Sequence, residues 1–374
     1  MVLRERLKKL QQEISLQKLD AVLISKVANI IYLTNYAGFS TEEREVFLFI
    51  TPKSQFILTD GRYTGAVKKL IPHFELVEIS GKRKLKEVLR NLAQKLKINK
   101  LGIEENDLRV NEFKLAKKVI KNLKDFKFHE HRAVKTPEEI KLIEKACEIG
   151  DKTFEFILTK IKSGISEKEL RYFLENFIRE QGFEPSFKTI VAFGENSAVP
   201  HHLTGDRKLQ FGDFVLLDFG VKFKNYCSDM TRTLVFGQSS EKQKQAYEVV
   251  KQSQQKVVEC LQKKFKSRGS PIKSGMTQVV VRAADLDKIA RNHILKSGFT
   301  SIPHSLGHGI GIEVHEHPYL SSNSKEALKE GMVFSIEPGI YIPDFGGVRI
   351  EDLFVIEKEG VRQLTQSNKE FIEL

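Results

Sequence analysis

Four carboxylates and one imidazole lie within 134 residues of this chain, each in an apolar or glycine-rich context. They are Asp218, Asp229, His308, Glu337 and Glu351, found in LLDFG, SDMTRT, HSLGHGIG, SIEPG and GVRIED. An ionised carboxylate on a buried strand is costly unless a cation or hydrogen-bond donors compensate it. The set therefore predicts a fold that gathers several strands around bound metal.

The first two carboxylates are predicted to lie on one β-hairpin. Residues 213–222 and 230–236 are rich in apolar and β-branched residues, which is typical of strands. A reversal near Lys224 would bring Asp218 roughly opposite Asp229.

The last two carboxylates are predicted to lie on a second hairpin. Residues 332–342 and 348–356 have strand patterns, and a Pro-Asp-Phe-Gly-Gly turn joins them. Glu337 and Glu351 lie seven residues either side of Asp344, so they are expected to face each other.

The ligand chemistry favours hard or borderline divalent ions. Four carboxylates with one imidazole nitrogen suit Mn²⁺, with Co²⁺ or Zn²⁺ as alternatives. Two such ions about 3.5–4 Å apart can share bridging carboxylates.

These residues resemble the dinuclear ligand set of the metallopeptidases with the pita-bread fold. That family includes methionine aminopeptidase, Xaa-Pro aminopeptidase and Xaa-Pro dipeptidase (prolidase), and its ordered ligands map onto the same five positions without a gap. NIIYLTNYAGFS (29–40) and TDGRYTGA (59–66) resemble the amino-terminal domain of the Xaa-Pro enzymes, which methionine aminopeptidases lack. The resemblance covers nearly the whole chain.

The resemblance also implies a set of catalytic residues. NSAVPHH (196–202) and HSLGHGIGIEVHEHP (304–318) are similar to segments that carry substrate-contacting histidines. Glu337 is expected to act as general base, and the histidines are expected to contact the substrate or stabilise the transition state. Of two adjacent histidines in the first segment, the motif order favours the first. The catalytic residues so implied are His201, His304, His315, Glu337 and Arg349.

The predicted fold class is α/β (α+β), with two domains. Residues 1–130 are expected to form a creatinase/prolidase-type domain, and residues 131–374 a pita-bread catalytic domain. The boundary precedes a strong helix start, in which Thr136 is the N-cap, Pro137 lies in the first turn and Glu139 completes a capping box.

The remaining patterns predict individual elements. Residues 30–39, 44–63 and 73–80 are interpreted as short strands, and the basic segment 260–275 as an enlarged surface loop. Helices are predicted over 3–18, 137–161, 166–181, 240–266 and 278–297.

Charge and composition limit the function classes. Residues 1–132 contain 27 Lys and Arg against 16 Asp and Glu, so this part carries +11 of the net charge of +12. Without interleaved aromatic residues, the excess indicates a solvated surface and not a nucleic-acid site. No apolar run suits a membrane span or a secretory signal, and three separated cysteines suit reduced thiols. A cytoplasmic protein is expected.

The sequence thus predicts a dinuclear metallo-aminopeptidase that cleaves the Xaa-Pro bond of short proline-containing peptides. Three alternatives remain open: a strict Xaa-Pro dipeptidase, a metal-free amidinohydrolase of the creatine type, and a non-catalytic binding module. The retained ligands disfavour the last two. The basic first domain is expected to restrict access to the site, from a neighbouring subunit of a homodimer.

Overall fold

The computed structural model of the chain describes residues 2–266 and 280–374. Within these ranges the chain divides into two units, residues 1–132 and 133–374. Of the basic loop predicted over 260–275, residues 260–266 instead form the end of a helix (Glu241–Lys266), and the rest lies outside the described residues. The helix predicted from 278 begins at Ala283 in the part of the chain that the structure describes. No helix of the described ranges is long and apolar enough to cross a membrane.

The first unit is built on a mixed six-stranded sheet of order β4-β3-β2-β1-β5-β6. Its strands are β1 (Ala21–Ile24), β2 (Val46–Ile50), β3 (Gln55–Asp60), β4 (Glu75–Ile79), β5 (Lys100–Ile103) and β6 (Asn122–Asp125). The helices up to its boundary are α1 (Val2–Leu16), α2 (Val27–Thr34), α3 (Thr64–Leu70), α4 (Leu85–Lys95), α5 (Val110–Val119) and α6 (His129–Ala133).

One predicted strand of this unit is wrong. Residues 30–39 were expected to be extended, but α2 occupies residues 30–34, the first half of that segment. All eight residues of α2 are buried, so it has no polar face and hence no helical periodicity to distinguish it from a buried strand. Asn35 ends it in the left-handed region, with φ of 59°.

In its described residues, the second unit contains four long helices and several small sheets. The helices are α7 (Pro137–Leu158), α8 (Glu167–Glu180), α9 (Glu241–Lys266) and α10 (Ala283–Lys296). The predicted start of α7 is confirmed, because the Thr136 hydroxyl accepts from the Glu139 N–H and the Glu139 carboxylate accepts from the Thr136 N–H.

Thirteen short strands complete the described part of this unit. They form sheets of order β11-β10-β7, β12-β9-β8, β14-β13-β15-β18-β19 and β16-β17. The strands are β7 (Glu184–Pro185), β8 (Ile190–Phe193), β9 (Phe214–Phe219), β10 (Val221–Phe223), β11 (Tyr226–Cys227), β12 (Met230–Val235), β13 (Gly307–Gly309), β14 (Glu316–Leu320), β15 (Val333–Ile336), β16 (Gly339–Ile342), β17 (Gly346–Arg349), β18 (Asp352–Glu357) and β19 (Gly360–Gln363).

The second predicted hairpin has the expected register. Ile336 pairs with Asp352 and Gly339 pairs with Arg349, so Glu337 lies opposite Glu351. Both glutamates lie where the ladder is interrupted between β15–β18 and β16–β17. Their carboxylates are therefore on facing segments that are free of regular ladder pairing.

The first predicted hairpin is offset by two residues from its expected register. The chain does reverse at Lys224 and Asn225, which have φ of 45° and 74°. However, Asp218 pairs with Thr231 and not with Asp229. The ladder is broken at Gly220, where a Cβ atom would overlap the Ser228 carbonyl oxygen.

Candidate metal centre

Asp218, Thr231 and Glu351 form one row across neighbouring strands. Thr231 pairs with Asp218 across β12 and β9, and it also makes an antiparallel bridge to Glu351. Opposed residues of antiparallel segments project to the same face, so these three side chains emerge side by side. Asp229 lies just before β12 and reaches the same cavity.

Arg232 fixes the two segments that carry this row. Its guanidinium donates to the carbonyl oxygens of Thr231 and Glu351, at 2.9 and 2.7 Å, and to the Asp352 carboxylate at 2.6 Å. Only 1% of Arg232 is exposed. The ion pair with Asp352 thus lies behind the metal-binding face and holds its backbone together.

His308 lies on β13 between two glycines that the packing requires. A Cβ atom at Gly307 would overlap the Ser335 carbonyl oxygen, and one at Gly309 would overlap the His317 carbonyl oxygen. The close approach of these backbones seats the imidazole among the carboxylates.

The hydrogen bonding of His308 leaves one ring nitrogen for a ligand. Its Nδ1 lies 3.2 Å from the Gly309 carbonyl oxygen, which can only accept, so Nδ1 carries the hydrogen. Burial, followed by the His315 ring, lowers the pKa of His308 to about 3. The neutral ring therefore presents the lone pair of Nε2.

That nitrogen faces three carboxylates. Nε2 of His308 lies 3.4 Å from Glu337, 3.7 Å from Asp229 and 4.0 Å from Glu351. Three ligand atoms, one each from Asp229, His308 and Glu351, lie within 4.8 Å of one another. Oδ1 of Asp229 and Oε1 of Glu351 are buried without a hydrogen-bond partner among the described residues. This donor set fits a divalent cation.

The charge state of the cluster supports the same conclusion. Burial, together with Glu351 and Asp218, raises the pKa of Asp229 well above its usual range. Burial and the Glu351 carboxylate do the same for Glu337, and burial with Asp218 raises the pKa of Glu351 to about 7. Acidic groups so crowded repel one another, and a bound cation would offset that repulsion.

Arg349 is paired with the Asp218 side of the cluster. Its Nη2 donates to Oδ2 of Asp218 at 2.6 Å, and its Nε donates to the Thr231 hydroxyl at 3.1 Å. The same hydroxyl donates to Oε2 of Glu351 at 2.8 Å. Nη1 of Arg349 donates to the Tyr341 hydroxyl at 2.9 Å. Arg349 thus orients two of the predicted ligands.

His304 has both ring nitrogens engaged within the protein. Nδ1 donates to the Ser305 carbonyl oxygen at 2.8 Å, so Nε2 accepts from the Tyr341 hydroxyl at 2.8 Å. Burial lowers the pKa of His304 to about 4. A hydrogen bond to substrate would require one of these bonds to break, which favours an orienting role over a contact role.

The two histidines of VPHHL point to different partners. His201 lines the cavity beside the acidic cluster. Nε2 of His202 lies 2.8 Å from the buried Glu167 carboxylate. His315 also lines the cavity, and its ring centroid lies 4.2 Å from that of His308.

One cavity of about 530 Å³ collects the residues singled out by sequence. All nine lie in its wall: His201, Asp218, Asp229, His304, His308, His315, Glu337, Arg349 and Glu351. The wall also has an apolar part, formed by Phe187, Ile190, Pro200, Val314 and Tyr319.

Several residues that line or support the cavity were not predicted from the sequence. Thr231 had a usable signal, since it follows Asp229 by two positions at the start of a strand. Ile190 pairs with Asp218 across β8 and β9, but β8 was not predicted. Nothing in the local sequence distinguishes Phe187 or Tyr341.

Two family models together match most of the chain. The model described as metallopeptidase family M24 matches residues 141–358, and that of the Creatinase/Prolidase N-terminal domain matches residues 6–134. The chain is 37% identical over 382 residues to a Xaa-Pro dipeptidase of Pyrococcus horikoshii, covering 99% of both chains.

Solved structures of Xaa-Pro peptidases are also similar to this chain over nearly its full length. A Xaa-Pro dipeptidase from Bacillus anthracis has a TM-score of 0.87 at 34% identity, with 100% of both chains covered. An X-Pro aminopeptidase from Thermotoga maritima MSB8 has a TM-score of 0.79 at 30% identity, covering 96% of this chain and 98% of that one. The predicted fold class, a creatinase/prolidase-type domain followed by a pita-bread domain, is confirmed.

Proposed function

The chain belongs to metallopeptidase family M24, and on that premise we propose that it is a metal-dependent Xaa-Pro dipeptidase. The observation that carries this choice is full-length similarity to two proteins named Xaa-Pro dipeptidases. Sequence reasoning favoured an Xaa-Pro aminopeptidase and kept the dipeptidase as its alternative. The similarities support that alternative better.

The aminopeptidase remains the second candidate. It is favoured by the likeness to the X-Pro aminopeptidase of Thermotoga maritima, which has lower identity than the dipeptidases above. Both candidates use the same chemistry at the Xaa-Pro bond and differ in whether a chain beyond proline is accepted.

Membership in the family implies divalent metal ions. The residues that would hold them are Asp218, Asp229, His308, Glu337 and Glu351. Such ions polarise a carbonyl oxygen and acidify a water molecule. We propose two ions, with Mn²⁺ expected first on ligand chemistry.

The protein's own groups would then bind and orient the substrate and move its protons. Glu337 is the proposed general base, because its carboxylate lies in the cavity wall beside the other proposed ligands, where it can take a proton and return it to the leaving nitrogen. His201 and His315 are the proposed hydrogen-bond donors to the reacting carbonyl. Arg349 keeps Asp218 in place.

Selection of proline is assigned to the apolar part of the cavity wall. Proline lacks an N–H and has a fixed φ, so its ring offers an apolar shape in place of a hydrogen-bond donor. The wall at Phe187, Ile190 and Pro200 can accept such a ring without leaving a polar group unpaired.

Matched peptides test the proposed specificity. Ala-Pro should be cleaved about 5- to 150-fold faster than Ala-Ala, since an unpaired buried N–H costs about 1–3 kcal/mol. Ala-Pro should also be cleaved faster than Ala-Pro-Ala. Equal rates on Ala-Pro and Ala-Ala would exclude proline specificity, and faster cleavage of Ala-Pro-Ala would favour the aminopeptidase.

Two histidine variants test the proposed donors. His201→Ala and His315→Ala should each lower kcat by about 10²–10³-fold with little change in KM, as expected for groups that act in the transition state. His293→Ala, on α10 outside the cavity wall, is the matched control and should have near wild-type kinetics. A rise in KM at constant kcat would instead assign the histidines to ground-state binding.

A further inference from the structure

A buried carboxylate outside the cavity holds the loop that carries His201. Glu167, at the start of α8, is 0% exposed. Its Oε1 accepts from the Phe193 N–H at 2.9 Å and the Asn196 side-chain amide at 2.8 Å. Its Oε2 accepts from Nε2 of His202 and from the Gly205 N–H, both at 2.8 Å.

All four donors come from one segment, residues 193–205. This segment also supplies Pro200 and His201 to the cavity wall, whereas Glu167 is not among the described residues that line it. A buried carboxylate is tolerated only when hydrogen-bond donors satisfy it. The geometry of the loop and the burial of Glu167 therefore depend on each other.

The bond to His202 also determines the direction of its neighbour. The Glu167 carboxylate oxygen is the acceptor in this contact, so Nε2 of His202 carries the hydrogen and donates. With His202 tied to Glu167 on one side of the backbone, His201 is left to project into the cavity.

Glu167 is not needed to cap its own helix. Ser166 is the N-cap of α8, and its N–H and hydroxyl both donate to Oε2 of Glu169 at 2.8 Å. Glu169 thus completes the capping box, whereas the four side-chain hydrogen bonds of Glu167 described above all go to the 193–205 loop. Glu167 and Glu169 lie at the same helix end, but Glu169 caps the helix and Glu167 binds the 193–205 loop.

We propose that Glu167 is a positioning residue for His201 in the hydrolysis reaction. The inference rests on the proposed function, because it assumes that His201 contacts the reacting carbonyl. Glu167 does not touch the substrate. It acts through the backbone of the loop and the ring of His202.

Substitution of Glu167 tests the role in the full-length, Mn²⁺-loaded enzyme with Ala-Pro as substrate. Glu167→Ala should lower kcat by about 10–100-fold, the range found for residues that orient catalytic groups, with little change in KM. Glu167→Gln keeps two acceptor contacts but turns an amide toward the Gly205 N–H, so its loss should be smaller. Glu169→Gln is the matched control and should keep wild-type kinetics.

A double-mutant cycle separates positioning from general stability. If Glu167 acts through His201, then Glu167→Gln should cause less than about a twofold further loss in a His201→Ala background. Amide exchange at Phe193 and Gly205 should accelerate in Glu167→Gln, while bound metal should not change. Additive losses in kcat, or unchanged exchange at both amides, would overturn the proposal.

Failure of the proposed function gives a different result. Wild-type protein that cleaves neither Ala-Pro nor Ala-Pro-Ala with metal added would refute the peptidase assignment. Active wild-type protein with additive losses would refute only the role of Glu167.

Discussion

Asp229→Asn is expected to abolish hydrolysis without destabilising the metal-free protein. Asp229 lies within 4.8 Å of the ligand atoms of His308 and Glu351, and its Oδ1 has no hydrogen-bond partner among the described residues. Even residues that only support a metal ligand contribute about 10–100-fold to activity, so loss of a ligand should cost more than about 100-fold.

The metal-free stability of the Asp229→Asn variant should not fall, although its activity is lost. Burial and three neighbouring carboxylates raise the pKa of Asp229, so its charge is unfavourable in the metal-free protein. A neutral amide of the same shape removes that repulsion. Thermal unfolding should therefore give a metal-free melting temperature at or above that of wild type, and added Mn²⁺ should no longer raise it.

Asp344→Asn provides the matched control for this substitution. Asp344 is exposed in the turn of the second hairpin, with φ of 59°, a conformation that asparagine tolerates well. The Asp344→Asn variant should have wild-type activity, and metal should raise its melting temperature as much as it does for wild type. Substantial activity in Asp229→Asn, or a large fall in its metal-free stability, would contradict the assignment of Asp229 as a ligand.

The second hairpin was predictable because its signals are local. Two apolar strands of similar length flank a Pro-Asp-Phe-Gly-Gly turn, and symmetry about Asp344 places Glu337 opposite Glu351. The first hairpin was predicted less well. A tight turn at Lys224 and Asn225 places Asp218 opposite Thr231, and the pairs on both sides of Gly220 keep this register. The expected pairing with Asp229 assumed a turn centred one residue earlier in the chain.

The supporting residues of the site could not be predicted in the same way. Glu167 and Tyr341 act through partners 26–38 residues and 8–37 residues away in sequence. Each has an unremarkable local context, and only tertiary packing brings it to its partner. Helix α2 was missed for a related reason, since burial on all sides removes the periodicity that identifies helices.

The measurement that tests the central claim most directly is a metal titration of the full-length wild-type protein. Protein treated with chelator, and verified as metal-free by elemental analysis, would receive Mn²⁺ in steps, with Co²⁺ and Zn²⁺ as parallel series. Bound metal and Ala-Pro hydrolysis would be measured in the same samples. This links occupancy of the five-residue cluster to turnover without any substitution.

We expect no hydrolysis by the metal-free protein, because the acidic cluster then has no cation to polarise the scissile carbonyl. Activity should rise with bound Mn²⁺ and level off near two ions per chain, the number that a two-metal site holds. Full turnover by protein verified as metal-free would contradict the account.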